Sequence, residues 1–298
     1  DKPLVLNIDN QLYYPIIKSY TEEEFGGHFE TEPDYKGYFM SEKISEQNNW
    51  AIFPLNPHSY QSINLNKSTP NPASPSTTNY LGTDDRGRDV LARLLYGFRL
   101  SVIFALALTI IGIIIGIFFG AIQGYFAGRT DLYLQRFIEI WGSMPELYLL
   151  IIFSSLFEPS IGLLIILLSL FGWMSLSDYV RAEFLKGRNM DYVIAARTLG
   201  LSDTKIILKH ILPNSMVSII TFLPFRISGA ILILTSLDFL GLGVPPDTPS
   251  LGELLSQGKE NIEAWWLSLS TFLVLVGTLM LLIFIGEGFR ESLDTRLK

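Results

Sequence analysis

Five apolar windows between Leu100 and Gly286 decide what this chain can fold into. They run over about 100–125, 132–157, 161–180, 216–240 and 266–286, each close to the roughly 20 residues that a helix needs to cross about 30 Å of hydrocarbon. In lipid every backbone N–H and C=O must be paired within the segment, so each window is expected to be helical. A composition of 49% hydrophobic and 17% charged residues over 298 positions agrees with a chain that lies mostly in a membrane. The expected class is an all-α integral membrane protein. Cysteine is absent, which excludes disulfide and thiolate chemistry.

Residues 1–80 are different. They hold ten Asp or Glu against five Lys and no Arg, mixed with aromatics, and contain no window long enough to span a bilayer. This reads as an extramembrane domain that closes on a loop, "NKSTPNPASPSTTNY". Residues 81–99 follow as a linker with an amphipathic helix: Leu91, Leu94, Leu95 and Phe98 recur at helical spacing, with Arg88, Arg93 and Arg99 available for headgroups. The domain 100–298 then carries the spans.

In the first window Gly112, Gly116, Gly120 and Gly124 stand four residues apart, which places a glycine groove on one helix face for close packing by a neighbour. The second window holds Glu139 and "SMPE", so a bend is expected there. Glu139 and Arg226 are charges inside windows and are the pore or substrate candidates; Glu146 and Asp238 are given less weight. Trp265 and Trp266 are read as markers of the outer headgroup level.

Charge bias orients the chain. Arg181, Lys186, Arg188, Arg197, Lys205 and Lys209 lie in 181–213, Arg129 and Arg136 in 126–136, and Arg290, Arg296 and Lys298 in the tail. The intervening "FEPS" has no cation and the loop 241–263 only Lys259. The three basic regions fall on one side under strict alternation, which makes them cytoplasmic and residues 1–80 external. An external N-terminal domain implies a sixth span before Asp1.

The cytoplasmic stretch 181–213 is too long for a plain connector. "DYVIAARTL" is a good helix, Gly200 supplies a left-handed residue to end it, and Ser202 can cap a second helix, "DTKIILKHIL", that Pro213 closes. Ala195 and Ala196 leave a shallow face for a partner, while Ile206, Ile207 and Ile211 can anchor the second helix to the bundle.

"DYVIAARTLG", nine residues, then "HILP" resembles the EAA loop of ABC-importer permeases, with Ala195, Ala196, Gly200, Leu212 and Pro213 in register. Ile194 replaces the family's Glu and His210 its first Ile, as is usual in the peptide-importer branch. "LGTDDRGRDVLARLLYGFRLSV" and "DFLGLGVPPDTPSLGELLSQG" resemble other segments of that branch, so the likeness covers most of 80–290 and is specific to the second permease subunit of peptide/nickel-type importers. The external insertion with "DKPL", "FGG" and "TNYLGTDD" narrows it to the oligopeptide importers that also admit peptide antibiotics such as microcin C.

The resemblance implies a type I permease bundle in a bacterial inner membrane, paired with a second permease subunit, driven by cytoplasmic ABC ATPase subunits and fed with peptide by a periplasmic binding protein. Asp191, Tyr192, Ala195, Ala196, Arg197, Gly200, His210, Leu212 and Pro213 would form the ATPase-coupling loop. No cofactor is implied on this chain: no Gly-x-x-x-x-Gly-Lys-Ser/Thr loop is present to cradle phosphates, so ATP and Mg²⁺ belong to the partner ATPases. Membrane lipid is a partner and nucleic acid is not. His28, His58 and His210 have no metal-ligand spacing, and no nucleophile motif suggests an enzyme. A self-sufficient secondary transporter or channel is the alternative; it would need ion-coupling carboxylates within spans, of which few are present.

Overall fold

The computed structural model describes residues 2–46, 48–63, 70–245 and 247–293. The chain divides into two compact units, Asp1–Tyr96 with Glu263–Leu267 and Gly97–Ile262 with Ser268–Lys298.

The first unit contains a small sheet. Strands β1 (Val5–Ile8) and β2 (Gln11–Tyr13) are joined by Asp9 and Asn10, both at positive φ (52° and 64°), the two-residue turn whose twist suits a hairpin. Helix α1 (Tyr38–Ser45) precedes β3 (Trp50–Ile52), and the order is β2-β1-β3, antiparallel throughout. Alternation turns Leu6 and Ile8 inward onto Phe25, Tyr35 and Met40. The all-α expectation therefore holds for the spans and not for this unit. Its strands, three or four residues each, are too short to show a period in sequence.

The 81–99 reading is corrected. Leu81–Asp89 is not helical, and α2 (Val90–Phe126) runs 37 residues without a break, so there is no separate amphipathic helix before the first span. Arg88 and Arg93 do not face headgroups; Arg93 is 0% exposed. Arg88 Nε lies 2.6 Å and Arg93 Nε 3.5 Å from Asp84 Oδ2, because a desolvated carboxylate needs cations within the chain. Arg99 is exposed. Of the loop before them, residues 66–69 lie outside the described residues, while 70–80 form neither helix nor strand. Asn79 Nδ2, donating to Asp89 Oδ2 at 2.7 Å, holds the loop in place. Trp266 is likewise a buried anchor, 8% exposed, whose indole N–H donates to the Thr83 carbonyl at 3.3 Å. Only Trp265 is open.

The second unit is helical. α3 (Gly128–Gly142) and α4 (Glu146–Leu156) meet at a 61° bend around Pro145, as the "SMPE" stretch led one to expect. α5 (Ile161–Gly172) and α6 (Met174–Gly187) form one apolar rod of 27 residues. α7 (Asp191–Thr198) and α8 (Asp203–Ile206) lead through a π turn at Ile207–Ile211 into α9 (Leu212–Thr221), which bends 51° into α10 (Leu223–Phe239). α11 (Leu251–Glu260) folds a stretch read as loop into a helix packed on α10, and α12 (Trp265–Leu293) ends the described chain. Among the described residues three helices are long and apolar enough to cross a membrane, and five segments are if each bent pair counts as one. Arg296 and Lys298 lie outside the described residues.

The glycine face of α2 lies against the α5–α6 rod. A Cβ on Gly116 would meet Leu176 Cβ at 3.0 Å, one on Gly120 would meet Val180 Cβ at 2.7 Å, and one on Gly124 would meet the Arg181 carbonyl at 2.6 Å. A Cβ on Gly112 would meet the Arg226 guanidinium at 3.1 Å. Without side chains there, the backbones gain dispersion contacts that lipid cannot supply.

Candidate functional site

Helix α7 is short because its end is specified. Gly200, at φ 79°, turns the chain left-handed, with Leu201 N–H bonded to the Ala196 carbonyl (3.2 Å) and Gly200 N–H to that of Arg197 (3.0 Å). This is the paired closure that satisfies two of the last helical carbonyls. Ser202 stands at the next N-cap, but its side chain does not cap; its carbonyl receives the Ile206 N–H at 3.0 Å. Pro213 does not close the second helix. The π turn at Ile207–Ile211 widens the ladder ahead of the proline, whose ring would clash with the carbonyl four residues back, and the helix continues into α9.

Packing divides the loop residues. Val193, Ala196, Ile206 and Ile211 are buried in a core with Tyr125, Val180 and Phe184, and Ile207 and Leu212 pack on its edge. The Ala195–Ala196 pair is therefore not one face: Ala196 is 5% exposed and holds α7 to the bundle, while Ala195 is exposed. On the open side Tyr192, Ile194, Ala195 and Leu199 form an apolar surface, with Leu199 80% exposed, flanked by Asp191, Arg197 and Gly200.

Polar ties hold this element to the spans. Tyr125, at the end of α2, donates its hydroxyl to Asp203 Oδ1 at 2.5 Å, and the Arg197 guanidinium lies 5.5 Å from the Tyr125 ring centroid. Asn214 Nδ2 donates to the His210 carbonyl (2.8 Å) and to Tyr192 Oη (3.3 Å), joining α9 to α7. Arg181 grips Asp131 through Nε and Nη2, at 2.5 and 2.6 Å, so α6 is fixed to α3 at the start of this stretch. Tyr125 and Asp203 escaped sequence reasoning because their partners lie 78 residues apart.

A cavity of about 480 Å³ opens among α2, the α3–α4 bend, the α5–α6 rod and α10. Arg226 lines it, with Nη1 donating to Ser175 Oγ at 2.9 Å and Nη2 to the Gly172 carbonyl. Glu139 does not. It pairs with Arg136 one turn back, at 2.6 Å, with both side chains at least half exposed. The carboxylate that shares the cavity with Arg226 is Glu146, just past the bend. Glu146 in fact lies deeper in the 132–157 window than Glu139, and the bend carries it to the cavity wall. Ionisable groups within apolar segments are costly unless they are partnered or face a cavity, and both of these line this one. Among the described residues no three His, Cys, Asp or Glu side chains are grouped to hold a metal.

The family model described as "Binding-protein-dependent transport system inner membrane component" matches residues 112–298. The chain is 49% identical over 294 residues to the inner membrane ABC transporter permease protein YejE of Escherichia coli strain K12, covering 99% of this chain and 86% of that protein. It is 45% identical to the peptidoglycan transport system permease protein YejE of Agrobacterium fabrum, covering 99% and 84%. With the oligopeptide transport system permease protein OppC of Haemophilus influenzae it shares 36% identity, covering 80% and 77%. The resemblance read from the loop and the external insertion points to the same relatives.

Proposed function

Since this chain belongs to the family of binding-protein-dependent transport system inner membrane components, we propose that it takes peptides through an inner membrane by offering α7 to an ATPase. It is an ABC importer permease, and the self-sufficient secondary transporter is not favoured. In this reading a binding protein delivers peptide on the external side, where residues 1–80 lie, and a second permease completes the pore. The stretch 181–213 and the C-terminus face the cytoplasm, where ATP and Mg²⁺ are bound by the ATPase subunits. Relatives named for oligopeptide and for peptidoglycan transport both support cargo that carries peptide bonds.

One observation carries the reading: the apolar surface of Tyr192, Ile194, Ala195 and Leu199 stands open on a helix tied down from beneath by Ala196, Tyr125 and Asn214. A rigid element with an exposed apolar face can transmit a push, because closure of a partner displaces the spans instead of deforming the loop. Arg226 is the pore residue of this reading. The test is co-purification of the full transporter in mild detergent. Wild type is expected to retain its ATPase, and Leu199→Asp, at a site without core contacts, is expected to lose it while keeping the second permease. Retention by Leu199→Asp would overturn the assignment.

A further inference from the structure

The cavity beside α4 holds the Glu146 carboxylate. Among the described residues nothing pairs with Glu146, although it sits in the first turn of a helix inside an apolar pair of segments. Arg226 lines the same cavity but is already engaged: its two terminal nitrogens are held by the Gly172 carbonyl and Ser175 Oγ. Those two bonds hold the guanidinium charge in the wall, while its Nε has no hydrogen-bond partner. The site thus presents one committed cation and one half-buried carboxylate, and a partly desolvated anion attracts a cation that can donate hydrogen bonds.

The rest of the lining suits a variable molecule. Met144 and Met174 border Glu146 and Arg226, and thioether side chains adapt to differing shapes. Gly142, Gly172 and Gly229 leave backbone uncovered in the same walls. Few fixed polar groups amid an adaptable apolar surface is the usual make-up of a site that holds one end of a ligand and tolerates the remainder.

We propose that Glu146 is the station at which the pore receives an ammonium group of its cargo, with the fixed Arg226 charge facing the carbonyl or carboxylate portion. The proposal rests on the peptide-importer reading above and names the part of the peptide that reading leaves open. Glu146 would then act on specificity, because cargo lacking an ammonium would leave the carboxylate desolvated and unpaired.

The test uses the absence of cysteine in this chain. Met174→Cys places a single thiol in the cavity of the complete transporter in membrane vesicles, and its alkylation by a membrane-permeant maleimide is timed with tri-alanine or N-acetyl-tri-alanine present. The free peptide is expected to protect the thiol at a concentration at least about tenfold lower than the acetylated one, the factor that one charged hydrogen bond supplies. Glu146→Gln should bring the two peptides to parity, whereas Glu146→Asp and Glu139→Gln keep the difference. Equal protection by both peptides, protection by neither, or a difference that survives Glu146→Gln overturns the proposal. If Glu146→Gln does not assemble, the comparison of the two peptides in the Met174→Cys transporter decides alone. ATP-driven uptake in the same vesicles separates the two ideas: uptake without discrimination at Glu146 sinks only the station, and no peptide uptake sinks the importer reading and the station with it.

Discussion

Adding one methyl at Gly120 is expected to force α2 away from the α5–α6 rod. A Cβ there would sit 2.7 Å from Val180 Cβ and 3.0 Å from the Arg181 backbone nitrogen. Carbon atoms at rest stand about 3.5–4.0 Å apart, so the backbones must part by about 1 Å. The obstacle is backbone and the branched root of a valine, neither of which can rotate aside. Overpacking of this kind costs typically about 1–3 kcal/mol. Parting the helices also loosens the neighbouring contacts of Gly116 and Gly124, which puts Gly120→Ala in the upper part of that range. Gly277→Ala is the matched control: it lies in α12, where an added Cβ meets nothing within 4 Å. There the better helix propensity of Ala should leave stability unchanged or raise it. The assay is thermal inactivation of the detergent-solubilised transporter, followed by ATP-dependent uptake after reconstitution. Gly120→Ala should inactivate at a temperature several degrees lower than Gly277→Ala. Equal stability of the two variants would refute the claim that the glycine spacing of α2 exists for close packing.

Three other perturbations test separate parts. Gly200→Val places a branched residue at φ 79°, at a cost of about 1–2 kcal/mol with no clash involved; insertion should persist while ATP hydrolysis and uptake uncouple, and wild-type uptake would count against the coupling role. Tyr125→Phe removes the bond to Asp203, worth about 1.5–3 kcal/mol for a charged acceptor, and should raise amide exchange across Asp203–Ile206; unchanged exchange would show the tie to be idle. Asp84→Asn removes the carboxylate that both buried arginines, Arg88 and Arg93, share, a loss of about 3–5 kcal/mol, so residues 70–96 should become open to protease in intact membranes, and unchanged resistance would remove Asp84 from its place in the first unit.

Much of this protein was readable without coordinates because the bilayer leaves a chain few choices. Segment lengths near 20 residues and a glycine every fourth position are local or periodic properties, and each has one physical solution in lipid. The bend at "SMPE" and the turn at Gly200 are likewise local, since proline and glycine act on their own backbone. Where a side chain finds its partner is a different matter. Arg93 went to Asp84 and not to headgroups, Trp266 to the Thr83 carbonyl across 183 positions, and Glu139 to Arg136, leaving Glu146 in the cavity. The alanine pair was legible as a motif, but only packing put Ala196 into the core and left Ala195 exposed. Pro213 reads as a stop until the π turn before it makes room for continuation. Sequence by itself determined which segments are apolar enough to span a membrane and where the loop turns, because those depend on transfer energy and local sterics. Tertiary structure alone decided which charges are spent on each other and which stay open, because that depends on distances between residues that no periodicity records.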